Sequence, residues 1–176
     1  MSLDATVKGP TANSYLTRAE ATVLLVDSRL HSTAWSSATD ADKDKALIWA
    51  TSLIDTSFDF DGNKTTQEQA LRWPRAGLLN RDNWYINQDT LPNDLKLATA
   101  ELAMALLGGD RTLEPSLLGK GISSAKVGPI EVKLDKSQVA SLMPSHVIQL
   151  LENIGAEPIG GGSGSGGLTE LRLERT

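Results

Sequence analysis

The sequence predicts a mainly α protein, a bundle of about four helices with a small β-hairpin and an extended C-terminal arm. Apolar residues recur at helical spacing in several segments, whereas residues 121–135 include an apolar/charged alternation. A Gly/Ser run at residues 160–167 separates a nine-residue tail, residues 168–176, from the rest. The predicted organisation is therefore an extended arm at 1–16, a helical domain at 17–159, the linker and the tail.

The first two predicted helices each begin at a threonine cap. Thr17 is followed three residues later by Glu20, which is the spacing of a capping box, and this helix is expected to run to about Leu30. Thr39 precedes acidic residues that suit the positive end of a helix, and apolar residues then recur at helical spacing. A second helix is predicted over residues 40–56.

Residues 31–38, which include Trp35, are predicted to be a short connection. Residues 57–91 are predicted to be irregular, with one short helix near residues 66–71. Most of the aromatic residues of the chain lie in this long segment. A loop that is both long and aromatic is expected to be pinned to the core.

The second half of the chain predicts two more helices and the hairpin. One helix begins at Pro92 and ends at Gly108, and another begins at Pro144 and ends at Gly155. Between them, residues 121–135 predict two antiparallel strands joined by a Gly-Pro turn.

Composition limits the function. The chain has 176 residues, with 22 acidic and 17 basic side chains, a net charge of -5 and no cysteine. Disulfides, cysteine-based zinc sites and thiol nucleophiles are therefore excluded. Because coating nucleic acid or an anionic membrane requires surplus Lys and Arg, the acidic balance argues against such a protein. No apolar run is long enough for a membrane span and no signal peptide is apparent, so we expect a soluble intracellular protein.

The sequence does not predict an enzyme or a cofactor. Its two histidines, His31 and His146, do not lie in a metal-binding spacing, and Ser145 next to His146 is not a catalytic triad. No phosphate-binding loop, dinucleotide fingerprint or nucleophile elbow is present.

One segment approaches the pattern of a calcium loop. Asp59, Asp61 and Glu68 fall at positions three, five and twelve of an EF-hand loop. Position one, however, is Ser57 rather than Asp, and Lys64 brings a positive charge into the loop. The pattern therefore favours a polar turn over a calcium site.

One segment interleaves basic and aromatic residues in a pattern that suits single-stranded nucleic acid. Aromatic rings stack on bases and arginines contact phosphates, and the candidate contacts are Arg72, Trp73, Arg75, Arg81 and Trp84. The alternative is that the aromatic residues anchor the long loop and the arginines pair with acids. The net charge favours this alternative.

The C-terminal tail predicts a docking segment. Leucines alternate with charged residues, as in a strand that adds to an exposed sheet edge. The candidate partner-binding residues are Leu168, Leu171, Arg172, Leu173 and Arg175. The alternative is a disordered tail.

Four segments carry a resemblance to a known family: residues 12–21, Leu-Arg-Trp-Pro-Arg at 71–75, Leu-Pro at 91–92, and Lys-Val-Gly at 126–128. Together they resemble the head-to-tail connector (adaptor, head-completion) proteins of tailed bacteriophages. Some of these proteins are also described as DnaT-like single-stranded DNA-binding proteins. The resemblance covers about residues 5–155, and its most specific part is the Leu-Arg-Trp-Pro-Arg segment.

The resemblance implies a structural virion protein of the neck, assembled in the host cytoplasm. It implies a homo-oligomeric ring of twelve copies that binds the portal protein on one side and the tail or a second neck protein on the other. The C-terminal tail would dock on the portal or on a neighbouring subunit. Twelve copies would carry a charge of about -60, which suits an acidic lumen through which double-stranded DNA slides. The alternative function is a single-stranded DNA-binding replication accessory protein.

Overall fold

The structure is a computed structural model that describes residues 2–80, 83–109, 124–127, 130–133 and 143–159. Its helices are α1 (Arg18–Thr22), α2 (Thr33–Ser37), α3 (Asp40–Ser57), α4 (Asn93–Leu107) and α5 (Ser145–Glu152). Its strands are β1 (Phe58–Phe60), β2 (Asn63–Lys64), β3 (Arg75–Ala76), β4 (Ser124–Val127), β5 (Ile130–Lys133) and β6 (Ala156–Pro158). The strands form three antiparallel pairs, β1 with β6, β2 with β3 and β4 with β5. The prediction of a mainly α fold with a small β-hairpin is confirmed.

Helix α4 lies at the centre of the core and packs against both α3 and α5. Buried apolar residues occur on most sides of this helix. Leu95, Ala98 and Leu102, which lie on one of these sides, are completely buried. Thr99 is also buried, and its hydroxyl donates to Leu95 O at 2.8 Å, which satisfies its polar group inside the helix. The helix begins after Pro92, as predicted.

Both threonine caps are confirmed. Thr17 Oγ1 accepts from Glu20 N–H at 3.2 Å, and the Glu20 carboxylate accepts from Thr17 N–H at 2.9 Å, which completes the capping box. Thr39 Oγ1 accepts from Asp42 N–H at 3.2 Å. The helix predicted to reach Leu30 is shorter, because α1 passes into a π-helical segment that ends at Asp27.

The segment predicted as a connection around Trp35 contains helix α2. Trp35 is completely buried there, and its Nε1–H donates to Thr22 Oγ1 at 3.1 Å. The Lys43 ammonium lies 5.8 Å from the centre of the Trp35 ring, within the range of a cation–π contact. Trp35 therefore joins α2 to α1 and α3.

The short helix predicted near residues 66–71 is absent, and this prediction was wrong. The buried Gln69 side chain supplies the hydrogen bonds that a helix would have made. Its Oε1 accepts from Thr66 N–H at 3.1 Å, and its Nε2 donates to the carbonyls of Leu71 and Pro74 at 3.0 and 3.1 Å.

The hairpin predicted at residues 121–135 is present as β4 paired with β5, with Val127 opposite Ile130 and Ser124 opposite Lys133. Strand β6 was not predicted. The linker and the tail at residues 160–176 lie outside the described residues.

The N-terminal segment has neither helix nor strand, as expected for an extended segment, but it packs on the domain. Tyr15 and Leu16 are buried, and Asp4 O accepts from Asn13 N–H at 2.9 Å. Within the ranges that the structure describes, no helix is both long and apolar enough to cross a lipid bilayer.

Candidate nucleic-acid interface

Trp73 is a core residue, and its inclusion among the predicted nucleic-acid contacts is corrected here. Its side chain is 1% exposed, and its ring packs edge-on against Phe60 with the ring centres 5.8 Å apart. Because stacking on a base requires an open ring face, Trp73 is not available for it.

Arg72 and Arg75, which flank this turn, are occupied by backbone carbonyls. Arg72 Nη1 donates to Phe58 O at 3.1 Å, and Arg75 Nη2 donates to Phe60 O at 2.7 Å and to Gly62 O at 2.6 Å. The two guanidinium groups therefore line one edge of β1. Both belong to the predicted contact set, but their guanidinium N–H groups bond to main-chain carbonyls of the folded domain.

The direction of these carbonyls follows from the pairing of β1 with β6. Asp59 lies opposite Glu157, and Ile159 N–H donates to Ser57 O at 2.8 Å, so the odd-numbered residues of β1 bond to β6. The even-numbered carbonyls face the other edge, where the guanidinium groups take the place of a third strand. At the outer edge of β6, Pro158 has no N–H to offer to another strand.

A partly buried carboxylate supports the same turn. Asp55 accepts a hydrogen bond from the Tyr15 hydroxyl and another from Arg72 N–H at 3.1 Å. Burial raises the pKa of Asp55 above its ordinary value, although both hydrogen bonds act in the opposite direction. Burial, together with the charge of Asp55, raises the pKa of Tyr15. This cluster joins the N-terminal segment, α3 and the Arg72 turn.

Residues 78–80 and 83–86 form the two sides of a braced loop, which we call the aromatic loop. Its base is closed by a bridge between Leu79 and Tyr85 and by a 2.9 Å hydrogen bond from Ile86 N–H to Leu78 O. Asn80 N–H donates to Trp84 O at 2.8 Å. Leu78 is buried and Ile86 packs against the core, so the loop is anchored at both ends.

The C-terminal side of the aromatic loop presents two rings to solvent. Trp84 is 73% exposed and Tyr85 is 81% exposed, whereas Trp84 N–H is held by Asn80 Oδ1 at 2.9 Å. Asn83 adopts a left-handed conformation, with φ of 62°, which Asn tolerates well. Arg81 lies in this loop by sequence but outside the described residues. Such a loop offers stacking surfaces for unpaired bases.

Tyr85 is absent from the predicted contact set, which ends at Trp84. It does belong to the interleaved basic and aromatic segment, residues 81–85, from which that set was taken. The sequence does not show that Trp84 and Tyr85 are exposed while Trp73 is buried, because all three residues occur in one irregular segment.

The other cations of the described surface are engaged. Every lysine and arginine whose side chain is described either pairs with a carboxylate or donates to a backbone carbonyl. The ion pairs join Lys8 with Asp89, Arg18 with Asp40 and Asp44, Arg29 with Glu101, Lys43 with Asp40, Lys45 with Asp42, Arg72 with Asp59, and Lys96 with Glu20. Lys64 donates to Gln69 O. These residues therefore form no open basic groove.

Among the described residues, no group of three or more His, Asp or Glu side chains is arranged to hold a metal ion. The calcium-like segment instead turns at Gly62, whose φ is 72°, and Asp59 pairs with Arg72. His146 contacts the Glu101 carboxylate at 3.2 Å. The predicted tail contacts from Leu168 to Arg175 lie outside the described residues.

Together these features define a small helical domain that presents one braced aromatic loop. A family model described as "Putative DnaT-like ssDNA binding protein" matches residues 1–176, and the chain belongs to this family. The DnaT-like part of the resemblance is confirmed, while the connector part stays a prediction. No curated protein and no solved structure matches the chain.

Proposed function

We propose that this protein binds single-stranded DNA through the aromatic loop. The observation that carries the proposal is the exposure of Trp84 and Tyr85 on a loop whose base is anchored in the core. Because the backbone of the loop is already held by hydrogen bonds, stacking on a base orders little additional chain. The family description supports the same class of ligand. Of the five predicted contacts, Arg81 and Trp84 remain in the proposal.

The electrostatics set the expected strength of binding. The described cations are engaged and the net charge is -5, so stacking supplies most of the affinity. For single strands, each phosphate contact adds about 0.7 to the slope of affinity against salt on logarithmic axes. We therefore expect a shallow salt slope, of about one or two phosphate contacts.

The test is the anisotropy of a fluorescent oligothymidine of about 20 nucleotides, titrated with the full chain at low salt. Saturable binding is expected, with weaker binding to the same sequence in duplex form, because paired bases cannot stack on Trp84. Absence of binding at low salt would remove the proposal.

A second candidate is the head-to-tail connector, supported by a different surface. Val23 and Val26, in the π-helical segment, and Leu30, three residues beyond its end, are 55%, 41% and 89% exposed. Exposed apolar residues close together in the chain suit contact between copies in a ring. The engaged cations also suit a lumen that does not retain DNA. The portal, the tail partner, the twelve copies and the virion location rest on the resemblance alone.

Electron microscopy and native mass spectrometry of the purified chain test this candidate. Closed rings that dissociate in a Val26→Glu/Leu30→Glu variant would support it, since two charges would then lie in the contact. Leu79→Glu/Ile159→Glu, which also adds two charges at exposed apolar positions but outside this surface, is the matched control. A chain that stays monomeric and also fails to bind portal rings would refute it.

A further inference from the structure

A second surface feature lies on the helical part of the domain. An open groove of about 510 Å³ runs between α2, the N-terminal half of α3 and the C-terminal end of α4. Its apolar lining includes Ala34, Ala38, Trp49 and Leu107. A groove of this volume is within the range that binds small ligands or short peptide segments.

The rim of the groove is charged. Asp42 and Lys45 line it, and their side chains are 52% and 77% exposed. Lys45 Nζ lies 3.4 Å from Asp42 Oδ1. Trp49 remains 36% exposed inside the same groove. An occupant that fits must therefore bring apolar side chains for the lining and charges of both signs for the rim.

The C-terminal tail has this chemistry. Leu171 and Leu173 are its central apolar residues, and Arg172 and Glu174 alternate with them. The arginine complements Asp42, and the glutamate complements Lys45.

The linker length fits the distance. Ile159, the last described residue, is tied to Ser57 at the end of α3 by a 2.8 Å hydrogen bond. At 1.5 Å per residue, Trp49 and Asp42 lie about 12 and 22 Å back along the same helix. The eight Gly/Ser residues of the linker have an average span of about 14–17 Å and a maximum of about 26–29 Å.

We infer that residues 168–176 of the same chain occupy this groove. The short Gly/Ser linker holds the tail at a local concentration on the order of millimolar, so a weak contact is sufficient. This position differs from docking on a portal or on a neighbouring subunit. It does not depend on the proposed DNA binding, which uses a different loop.

The test uses the absence of cysteine. A Thr176→Cys variant of the full chain carries a single nitroxide label, and the amide signals of the groove are followed by NMR. We expect the signals of Ala34, Ala38 and Trp49 to lose intensity compared with a diamagnetic label. The loss should disappear in Leu171→Asp/Leu173→Asp.

The matched control is Ser163→Asp/Ser165→Asp, which adds the same charge to the linker and keeps both leucines. In this control the groove signals should still lose intensity. Unaffected groove signals in the labelled chain, or an equal loss in the double leucine variant, would overturn the inference. An equal loss in a mixture of labelled chains without isotope enrichment and enriched chains without the label would also overturn it, because the occupant would then be the tail of a second copy.

Discussion

Arg75 closes the open edge of β1 by donating from Nη2 to Phe60 O at 2.7 Å. Its Nε–H donates to Asp61 O at 2.5 Å, so one planar side chain satisfies successive carbonyls of the turn after the strand. In a sequence, arginines close to a tryptophan suggest nucleic-acid binding. Here Trp73 lies in the core, and Arg75 satisfies carbonyl groups at its border.

The structure therefore predicts that Arg75 acts on stability and not on DNA affinity. Arg75→Ala should lower the free energy of unfolding by about 2–3 kcal/mol, because hydrogen bonds from a charged donor are lost. Urea unfolding measures the change. Arg18→Ala, which removes a partly exposed arginine that forms ion pairs but no hydrogen bond to a strand carbonyl, is the control and should cost less than about 1 kcal/mol. Weaker oligonucleotide binding by folded Arg75→Ala would contradict this assignment.

Trp84 should contribute to DNA binding without contributing to stability. Trp84→Ala is expected to weaken oligothymidine binding by about 1–3 kcal/mol, which is roughly 5- to 150-fold, because one stacking surface is lost. The free energy of unfolding should change by less than about 0.5 kcal/mol, since the ring is exposed. Leu30→Ala, equally exposed and outside the loop, is the control for affinity. Equal binding by both variants would show that the loop is not the interface.

Asp55 should make stability depend on pH. Its folded pKa is raised above the ordinary value of 3.8, so its favourable contribution is complete below that pH and is lost as pH rises through the folded pKa. Asp55→Asn removes this dependence. The difference in unfolding free energy between Asp55→Asn and the parent chain should therefore shift in favour of the variant as the pH rises from about 3 to 7.

The comparison must be a difference between two chains. The pKa of Asp42 is lowered by the Thr39 hydroxyl, so its contribution is present above its ordinary pKa and is lost as the pH falls. This opposite trend is common to both chains and cancels. A difference that stays constant across the range would show that Asp55 has the same pKa in the folded and unfolded states.

The cap at Thr39 should be worth about 1 kcal/mol. Thr39→Ala removes the acceptor for Asp42 N–H at the start of α3, and the loss should be about 0.5–2 kcal/mol in unfolding free energy. Thr39→Ser, which keeps the hydroxyl, is the control and should recover most of the loss. If both variants lose the same amount, the side-chain hydrogen bond is not what stabilises the helix start.

The helices of this protein were largely predictable. Thr17, Thr39 and Pro92 mark helix starts, and each does so through residues within the first turn of its helix. The apolar residues of α3 and α4 recur at helical spacing, which depends only on residues close in the chain. The helix expected near residues 66–71 failed because the Gln69 side chain captures the local backbone groups. That result depends on how Pro74 approaches Gln69, which a helical period does not encode.

The candidate site was predictable only in part. Arg72, Trp73 and Arg75 have the same residue types as Arg81 and Trp84, so no pattern separates the two groups. The structure separates them by burial, because Trp73 packs on Phe60 while Trp84 lies open.

The sequence by itself determined the helical class, the two threonine caps and the acidic character, because each depends on neighbouring residues or on composition. Only the tertiary structure decided which aromatic residues face solvent and what the arginines bind. Those outcomes depend on β1 meeting β6, where Phe58 pairs with Pro158 across a hundred residues of chain. The edge of β1 that does not pair with β6 faces Arg72 and Arg75. Their guanidinium groups donate to its carbonyls at the border of the core.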